Sequence, residues 1–512
     1  NEPLTTARFA GLYGHWYPHR RDYGSFLRAL MNQCLGTHEA MRAIRAVNPA
    51  ARLVQTEDLG KTFSTAPLAH QARHENDRRW LSFDLLLGRV DEHHPMIGFL
   101  RDAGVGEAEL ETLASGEARP DILGINHYLT SERFLDHRTH LYPWLEPGGN
   151  GRDAYVDAEA VRVKRLHDRT GIARRVREAW RRYGIPIAIT EVHHGCTRDE
   201  QLRWFVEAWT TSKQLRAEGI DLVAVTPWSL FGNVDWRSLI TRDDGHYDTG
   251  MFDVRGPEPR PTVVASAARA FAQGEDFDHP VLDAPGWWRR PERLYPWHGR
   301  CKALSENGRK LLITGATGTL GRAFARICEH RGLAFCLTSR HELEISDEVS
   351  IRAAIDRYAP WAIINTAGFV RVADAERERD TCFKWNAEGP AKLAGACAEA
   401  GLPLVTFSSD LVFDGRKGAA YVESDEPRPA NVYGLSKARA EAEVLRLSRN
   451  ALVIRTSAFF GPWDKHNFAR HVLDALARGE PFLASTSSFI SPTYTPDLCH
   501  GALDLLIDGE TG

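Results

Sequence analysis

Apolar positions follow two rhythms along this chain. Short runs rich in β-branched residues occur at 52–58, 121–128, 186–192 and 221–230, and their length and composition predict strands. Between them apolar residues recur at helical spacing over 23–47, 71–87, 158–183 and 199–218, and a further helix is predicted over 261–271. Strand followed by helix, repeated, predicts a parallel sheet, because a parallel connection needs a crossover long enough to hold a helix. From Arg309 the pattern restarts, with buried-type strands at 310–314, 362–365, 404–408 and 452–455 separated by helices. The stretch between has no clean period and gathers His279, Pro280, Pro285, Trp287, Trp288, Pro296 and Trp297. So many tryptophans predict a strap packed on a neighbour, since leaving them in water is unfavourable. The expected organisation is therefore α/β throughout: a first domain over 1–278, a linker over 279–308 and a second domain over 309–512.

Composition narrows the function classes. The 512 residues suffice for a large sheet-and-helix domain plus an ordinary one. Lys and Arg number 64 against 68 Asp and Glu, a formal charge of -4, so bulk charge offers nothing to nucleic acid. Eight cysteines, at 34, 196, 301, 328, 336, 382, 397 and 499, form no CxxC pair and no Cys/His zinc spacing. Reduced thiols, no structural metal and a cytoplasmic setting are expected. No run of roughly 18 apolar residues occurs, so no membrane-spanning helix is expected. The chain opens at Asn1, Glu2 and Pro3 without an initiator Met and stops at Gly512, and both ends read as the edges of a fragment.

The second domain carries a dinucleotide pattern. Residues 310–314 lead into Gly315, Gly318 and Gly321, and a helix follows. In that context backbone N–H groups and the positive end of the helix can hold a pyrophosphate. The GxxGxxG spacing points to the short-chain dehydrogenase branch. Arg340 follows the next strand, where a cation favours the 2′-phosphate of NADPH over the free hydroxyl of NADH; partnership with Glu342 or Glu344 is the alternative. Tyr433 and Lys437 stand four apart, on one face of a predicted helix, where the ammonium can lower the pKa of the phenol. A tyrosine so placed can give a proton to a carbonyl oxygen, and Ser409 at a strand end can hydrogen-bond the same oxygen.

These residues carry a resemblance. Residues 309–512 resemble the extended short-chain dehydrogenase/reductases, and within them the dTDP-4-dehydrorhamnose reductase family, on Gly315 to Gly321, Ile364 to Gly368, Phe407 to Gly415, Asn431 to Lys437 and Arg455 to Ser457. The resemblance implies a Rossmann-type doubly wound sheet, NADPH or NADH as cofactor, and reduction of a 4-keto group on a dTDP-sugar or related sugar nucleotide, as in dTDP-rhamnose biosynthesis. It places Ser409 where the family has a catalytic Thr, Tyr433 as proton donor and Lys437 as its tuner. It puts the cofactor against Gly315, Thr317, Gly318, Leu320, Gly321, Arg340, Asn365, Ala367, Gly368, Tyr433 and Lys437. Leu411 stands where the family has Tyr, a departure that bears on which sugar nucleotide is taken.

In the first domain Glu2 and Glu191 are the candidate pair. Glycoside hydrolysis needs one protonated carboxyl and one carboxylate, and Glu191 ends a strand, the position that lines the active face of a (β/α)₈ barrel. Residues 1 to about 275 resemble the second half of glycoside hydrolase family 1, the retaining β-glycosidases, on Asn1-Glu2-Pro3, Gly124 to Tyr128, Ile189 to Glu191, and Thr226 to Trp236. The resemblance implies a partial TIM-type barrel, with Glu2 as acid/base, Glu191 as nucleophile and Tyr128 as its orienter. Asn1, Asn126, Trp228, Asp235 and Trp236 become contacts to a β-glycoside. Four of eight strands predict open sheet edges and no turnover by these strands alone. His193 and His194 are adjacent and point opposite ways, so no metal is assigned to them. Two rival readings make the first domain a sugar-binding scaffold without turnover, or the second a regulatory nucleotide-binding subunit. The oligomeric state stays open.

Overall fold

The computed structural model describes residues 1–295, 308–464, 467–486 and 489–512, which form two compact units. The first gathers residues 1–196, 200–276 and the described residues from Gly286; the second gathers 197–199, 277–285 and the described residues from Gly308. Pro296, Trp297 and Cys301 lie outside the described residues.

In the first unit four strands, β1 (Val54–Asp58), β2 (Ile122–Asn126), β3 (Ile187–Val192) and β4 (Leu222–Pro227), lie side by side in chain order, all parallel. The sheet is open, and what stands in place of the expected partial TIM-type barrel is a four-stranded parallel sheet. Helices α1 (Tyr23–Val47), α2 (Ala69–Arg78), α3 (Leu81–Leu86), α4 (Ile172–Tyr183), α5 (Arg198–Ala217) and α6 (Val263–Ala272) accompany it. Asp22 caps α1 by accepting from the Ser25 backbone at 2.7 Å, and the helix buries Phe26, Leu27, Leu30 and Met31 against Leu81, Leu85 and Leu100. The helix expected over 71–87 breaks at Arg79–Trp80 into α2 and α3. The one expected over 158–183 shrinks to α4, because the strand Ala154–Glu159 pairs antiparallel with Arg133–Asp136 and two single turns, Ala160–Arg162 and Lys164–Leu166, follow it.

In the second unit β5 (Leu311–Thr314), β6 (Phe335–Thr338), β7 (Ala362–Asn365), β8 (Leu404–Ser409) and β9 (Ala451–Thr456) make one parallel sheet in the order β6-β5-β7-β8-β9. Every residue of β5 and β7 is buried, as expected where helices cover both faces. Helices α7 (Thr319–Arg331), α8 (Glu348–Tyr358), α9 (Gly389–Ala400) and α10 (Val432–Leu447) supply that cover. Leu312, Ile351, Ile363, Leu393, Leu404 and Val444 form the fully buried centre of one core. The chain steps from β5 outward to β6, then crosses to β7, and this reversal opens a crevice beyond the C-terminal ends of β5 and β7. The arrangement is Rossmann-like.

Candidate active site

The glycine loop lies at that reversal. Gly315 follows β5 with φ +83°, and a Cβ there would stand 2.6 Å from Thr366 Oγ1. A Cβ on Gly321 would stand 2.5 Å from the Gly315 carbonyl oxygen, so the turn closes this tightly only without side chains. Gly318 is the N-cap of α7 and no side chain caps it, so the first N–H groups of the helix have no side-chain partner at the cap. Thr317 is exposed there, whereas the Leu320 side chain is buried in the core. Asn365 was expected at the cofactor; its side chain instead clasps the sheet, accepting from Thr314 Oγ1 at 2.8 Å and donating to Thr406 Oγ1 at 3.2 Å. The Ala367 N–H donates back to Asn365 Oδ1 at 3.2 Å, which shapes the approach to Gly368.

Across the crevice α10 begins at an Asn431 cap whose oxygen accepts from the Gly434 N–H at 2.7 Å. Its first turns carry Tyr433 and Lys437 on one face, with Lys437 Nζ 5.9 Å from the centre of the Tyr433 ring. Lys437 Nζ donates to the Phe407 carbonyl at 3.1 Å. Burial pushes the Lys437 ammonium down to about 8. The expected lowering of the Tyr433 phenol is not there. Burial, with the neighbouring Cys382 and Asp410, pushes it up to about 12, because desolvation of a phenolate outweighs the attraction of a cation that is itself desolvated. Ser409 ends β8, where its hydroxyl donates to Asp410 Oδ1 at 3.0 Å and accepts from the Leu411 N–H at 3.2 Å.

Sequence reasoning missed Asn386. It sits fully buried in a wide π-turn, Lys384–Glu388, just before α9. Its oxygen accepts from the Phe369 N–H at 2.8 Å, and its amide donates to the Phe369 carbonyl at 3.0 Å and Ser436 Oγ at 3.2 Å. Ser436 in turn donates to the Tyr433 carbonyl at 2.6 Å. One side chain thus ties the loop after β7 to the helix that carries Tyr433. The only hint in the sequence is Gly389-Pro390 inside a helical stretch, a pair that disturbs regular winding.

In the first unit the register sets Asp58 beside Asn126 and Asn126 beside Glu191, with an irregularity at Ile125/Asn126. Tyr128 donates its hydroxyl to Glu191 Oε2, and Asn1 Nδ2 donates to Glu191 Oε1 at 3.3 Å. Asn126 Nδ2 donates to Glu2 Oε1 at 2.7 Å, and Thr190 Oγ1 donates to Asn126 Oδ1 at 2.6 Å. Glu2 and Glu191 therefore share one polar network at the C-terminal strand ends. Burial, then the negative charges of Asp58 and Glu57, push the Glu2 carboxyl up to about 8. Burial also raises Glu191, while the hydrogen bonds from Tyr128 and Asn1 hold it back. Glu57, unremarked in the sequence, is wholly buried and accepts from Leu4 N, Thr5 Oγ1 and Ser82 Oγ at 2.9, 3.0 and 2.8 Å, fixing the segment that bears Glu2.

Trp228 and Trp236 lie 5.8 Å apart between ring centres, with Trp16 a further 6.1 Å from Trp236. Asp235 does not present its carboxylate to a sugar: it accepts N–H groups of Asp244, Gly245 and His246 at 3.1, 3.0 and 2.8 Å and so closes its own loop. His193 Nδ1 meets the Trp228 carbonyl at 3.0 Å, while His194 Nε2 accepts from Trp287 Nε1. Among the described residues no group of His, Cys, Asp or Glu could hold a metal, and no helix is long and apolar enough to cross a membrane.

The parallel sheet with a glycine turn at its point of reversal defines a dinucleotide-binding domain of Rossmann-like fold. Residues 309–510 match the RmlD substrate binding domain, and with the relatives below the chain belongs to this family. A dTDP-4-dehydrorhamnose reductase of Aggregatibacter actinomycetemcomitans is 35% identical over 207 residues, 40% of this chain and 70% of that protein. A dTDP-4-keto-6-deoxy-D-glucose reductase of Streptomyces niveus is 32% identical over 202 residues, 39% of this chain and 70% of that protein. A solved structure of dTDP-4-dehydrorhamnose reductase from Bacillus anthracis in complex with NADP is 29% identical, covering 40% of this chain and 72% of that one with a TM-score of 0.38. The chain thus spans about seven tenths of the length of these proteins. The likenesses concern the second unit and lend nothing to the glycosidase resemblance of the first.

Proposed function

We propose that the second unit reduces the 4-keto group of a dTDP-linked deoxy sugar with NAD(P)H. The observation that carries this reading is the placement of Tyr433 and Lys437 on one face of α10 across the crevice from the glycine turn. The reduced nicotinamide, when bound, supplies hydride to the ketone carbon. The glycine turn and the N-terminus of α7 would hold its pyrophosphate. Tyr433 stays a phenol across the physiological range, as a proton donor must. Its proton goes to the ketone oxygen as the carbon is reduced, and Lys437 stabilises the phenolate left behind. Ser409 can turn its hydroxyl from Asp410 to the same oxygen. Replacing Tyr433 with Phe is expected to lower kcat for NAD(P)H oxidation with a dTDP-4-keto-6-deoxy sugar roughly a hundred- to ten-thousand-fold, with cofactor affinity nearly unchanged. Unaltered turnover would remove the role.

A second reading concerns the first unit. Glu2, raised to about 8, and Glu191, held by Tyr128, match the division of labour in retaining glycoside hydrolysis, one carboxyl protonated and one facing the sugar. Glutamate carboxyl ¹³C NMR at about pH 6 tests it: a protonated carboxyl is expected in the parent protein and its loss in E2Q. An ionised Glu2 at that pH would defeat the acid role.

A further inference from the structure

The last residue of β6 lies against the glycine turn, since the Ala316 N–H donates to the Thr338 carbonyl at 3.0 Å. The next two residues, Ser339 and Arg340, therefore stand where the adenosine ribose of a bound dinucleotide would come. Ser339 donates its backbone N–H and its hydroxyl to Glu342, both at 2.8 Å. The guanidinium of exposed Arg340 lies 3.8 Å from the centre of the Trp385 ring, close enough for a stacked cation–π contact. Its Nε donates to Glu344 Oε2 at 2.7 Å, and the other oxygen of Glu344 is taken by the Ser346 N–H and hydroxyl at 3.1 and 2.9 Å. Among the described residues the hydrogen bonds of Arg340 are confined to that Nε edge. With its guanidinium against the indole and its Nε on Glu344, Arg340 has two terminal amino groups that make no hydrogen bond to another described residue. Trp385 is itself steadied by packing against the cores beneath.

We propose that Trp385 is a specificity-determining residue of the dinucleotide site, holding Arg340 flat so that its terminal amino groups receive a ribose 2′-phosphate and NADPH is chosen over NADH. The inference rests on the dinucleotide reading above and deepens it. A planar, immobilised guanidinium makes two parallel hydrogen bonds to a phosphate, whereas a freely rotating one loses side-chain entropy on binding. The partnership with Glu344 named above as the alternative is present, but it takes only the Nε edge of Arg340, while the other Glu344 oxygen and the Glu342 carboxylate accept local donors.

The test uses the whole chain and two small probes, 5′-AMP and adenosine 2′,5′-bisphosphate, titrated by calorimetry. The parent protein is expected to prefer the bisphosphate by about tenfold or more, the scale of one charge-assisted pair. R340A should erase the preference. W385L keeps apolar bulk over the core but removes the aromatic face, and should cut the preference to within about threefold, whereas W385F should retain it. Equal affinity of the parent for the two probes, or an undiminished preference in W385L, overturns the proposal while the dinucleotide reading stands. Binding of neither probe overturns both.

Discussion

Desolvation governs the acid–base character of the groups that matter most here. Glu2 keeps its proton toward about 8 and Tyr433 toward about 12, while Lys437 loses its proton near 8. In each case burial favours the neutral form and neighbouring charges only adjust the outcome. For Lys437 the sign is plain: below about 8 it is an ammonium able to stabilise a phenolate, and above it the stabilising charge is gone. Turnover is therefore expected to fall as pH rises through that region. K437R, whose guanidinium stays protonated, should be slower but should lose that alkaline fall. A limb that does not move in the pH profile of K437R would assign it to another group. The spacing of Tyr433 and Lys437, one helical repeat, marked them out only together with the glycine turn, Ser409 and the segment from Asn365 to Gly368 in chain order. Their environment could not be read in this way, because spacing says nothing about how much water reaches a side chain.

Among elements, the strands and the glycine turn were the most legible. Runs such as 362–365 are apolar at every position because helices cover both faces of the sheet, and β7 occupies those same residues. Turns and interrupted helices were less so. Nothing local to 158–171 forbids a helix, and the strand Ala154–Glu159 forms because a partner from Arg133–Asp136 lies alongside. The π-turn at Lys384–Glu388 belongs with these, since it exists to aim Asn386 at both edges of Phe369. N386A would leave the buried N–H and carbonyl of Phe369 without those partners. A loss of about 1–3 kcal/mol in denaturant unfolding is expected, together with a fall in kcat as the loop after β7 loosens from the helix that carries Tyr433. A variant as stable and as active as the parent would show that the clamp is dispensable.

At the scale of the molecule the two units differ in how completely they enclose their chemistry. The five-stranded sheet is covered on both faces, whereas β4 of the first unit leaves Val223 at 47% exposure and β1 leaves Val54 at 43%. An open four-stranded sheet exposes unpaired edges and closes no barrel around Glu2 and Glu191. This chain is accordingly expected to show no turnover of an aryl β-glucoside even though Glu2, Tyr128 and Glu191 meet. Measurable release of the aryl group, lost in E191Q, would contradict that.

Periodicity and motif order were enough to read two α/β folds, the glycine turn and the Tyr433/Lys437 spacing, because each is a property of neighbours along the chain, whereas the two glutamates were singled out by a family resemblance. Burial of Glu57 under Glu2, the capture of Asp235 by its own loop, and the Asn386 clamp depend on residues far apart in sequence. Which polar groups meet, and how dry they are when they do, follows from packing in three dimensions, and free energies of desolvation have no counterpart in a one-dimensional pattern.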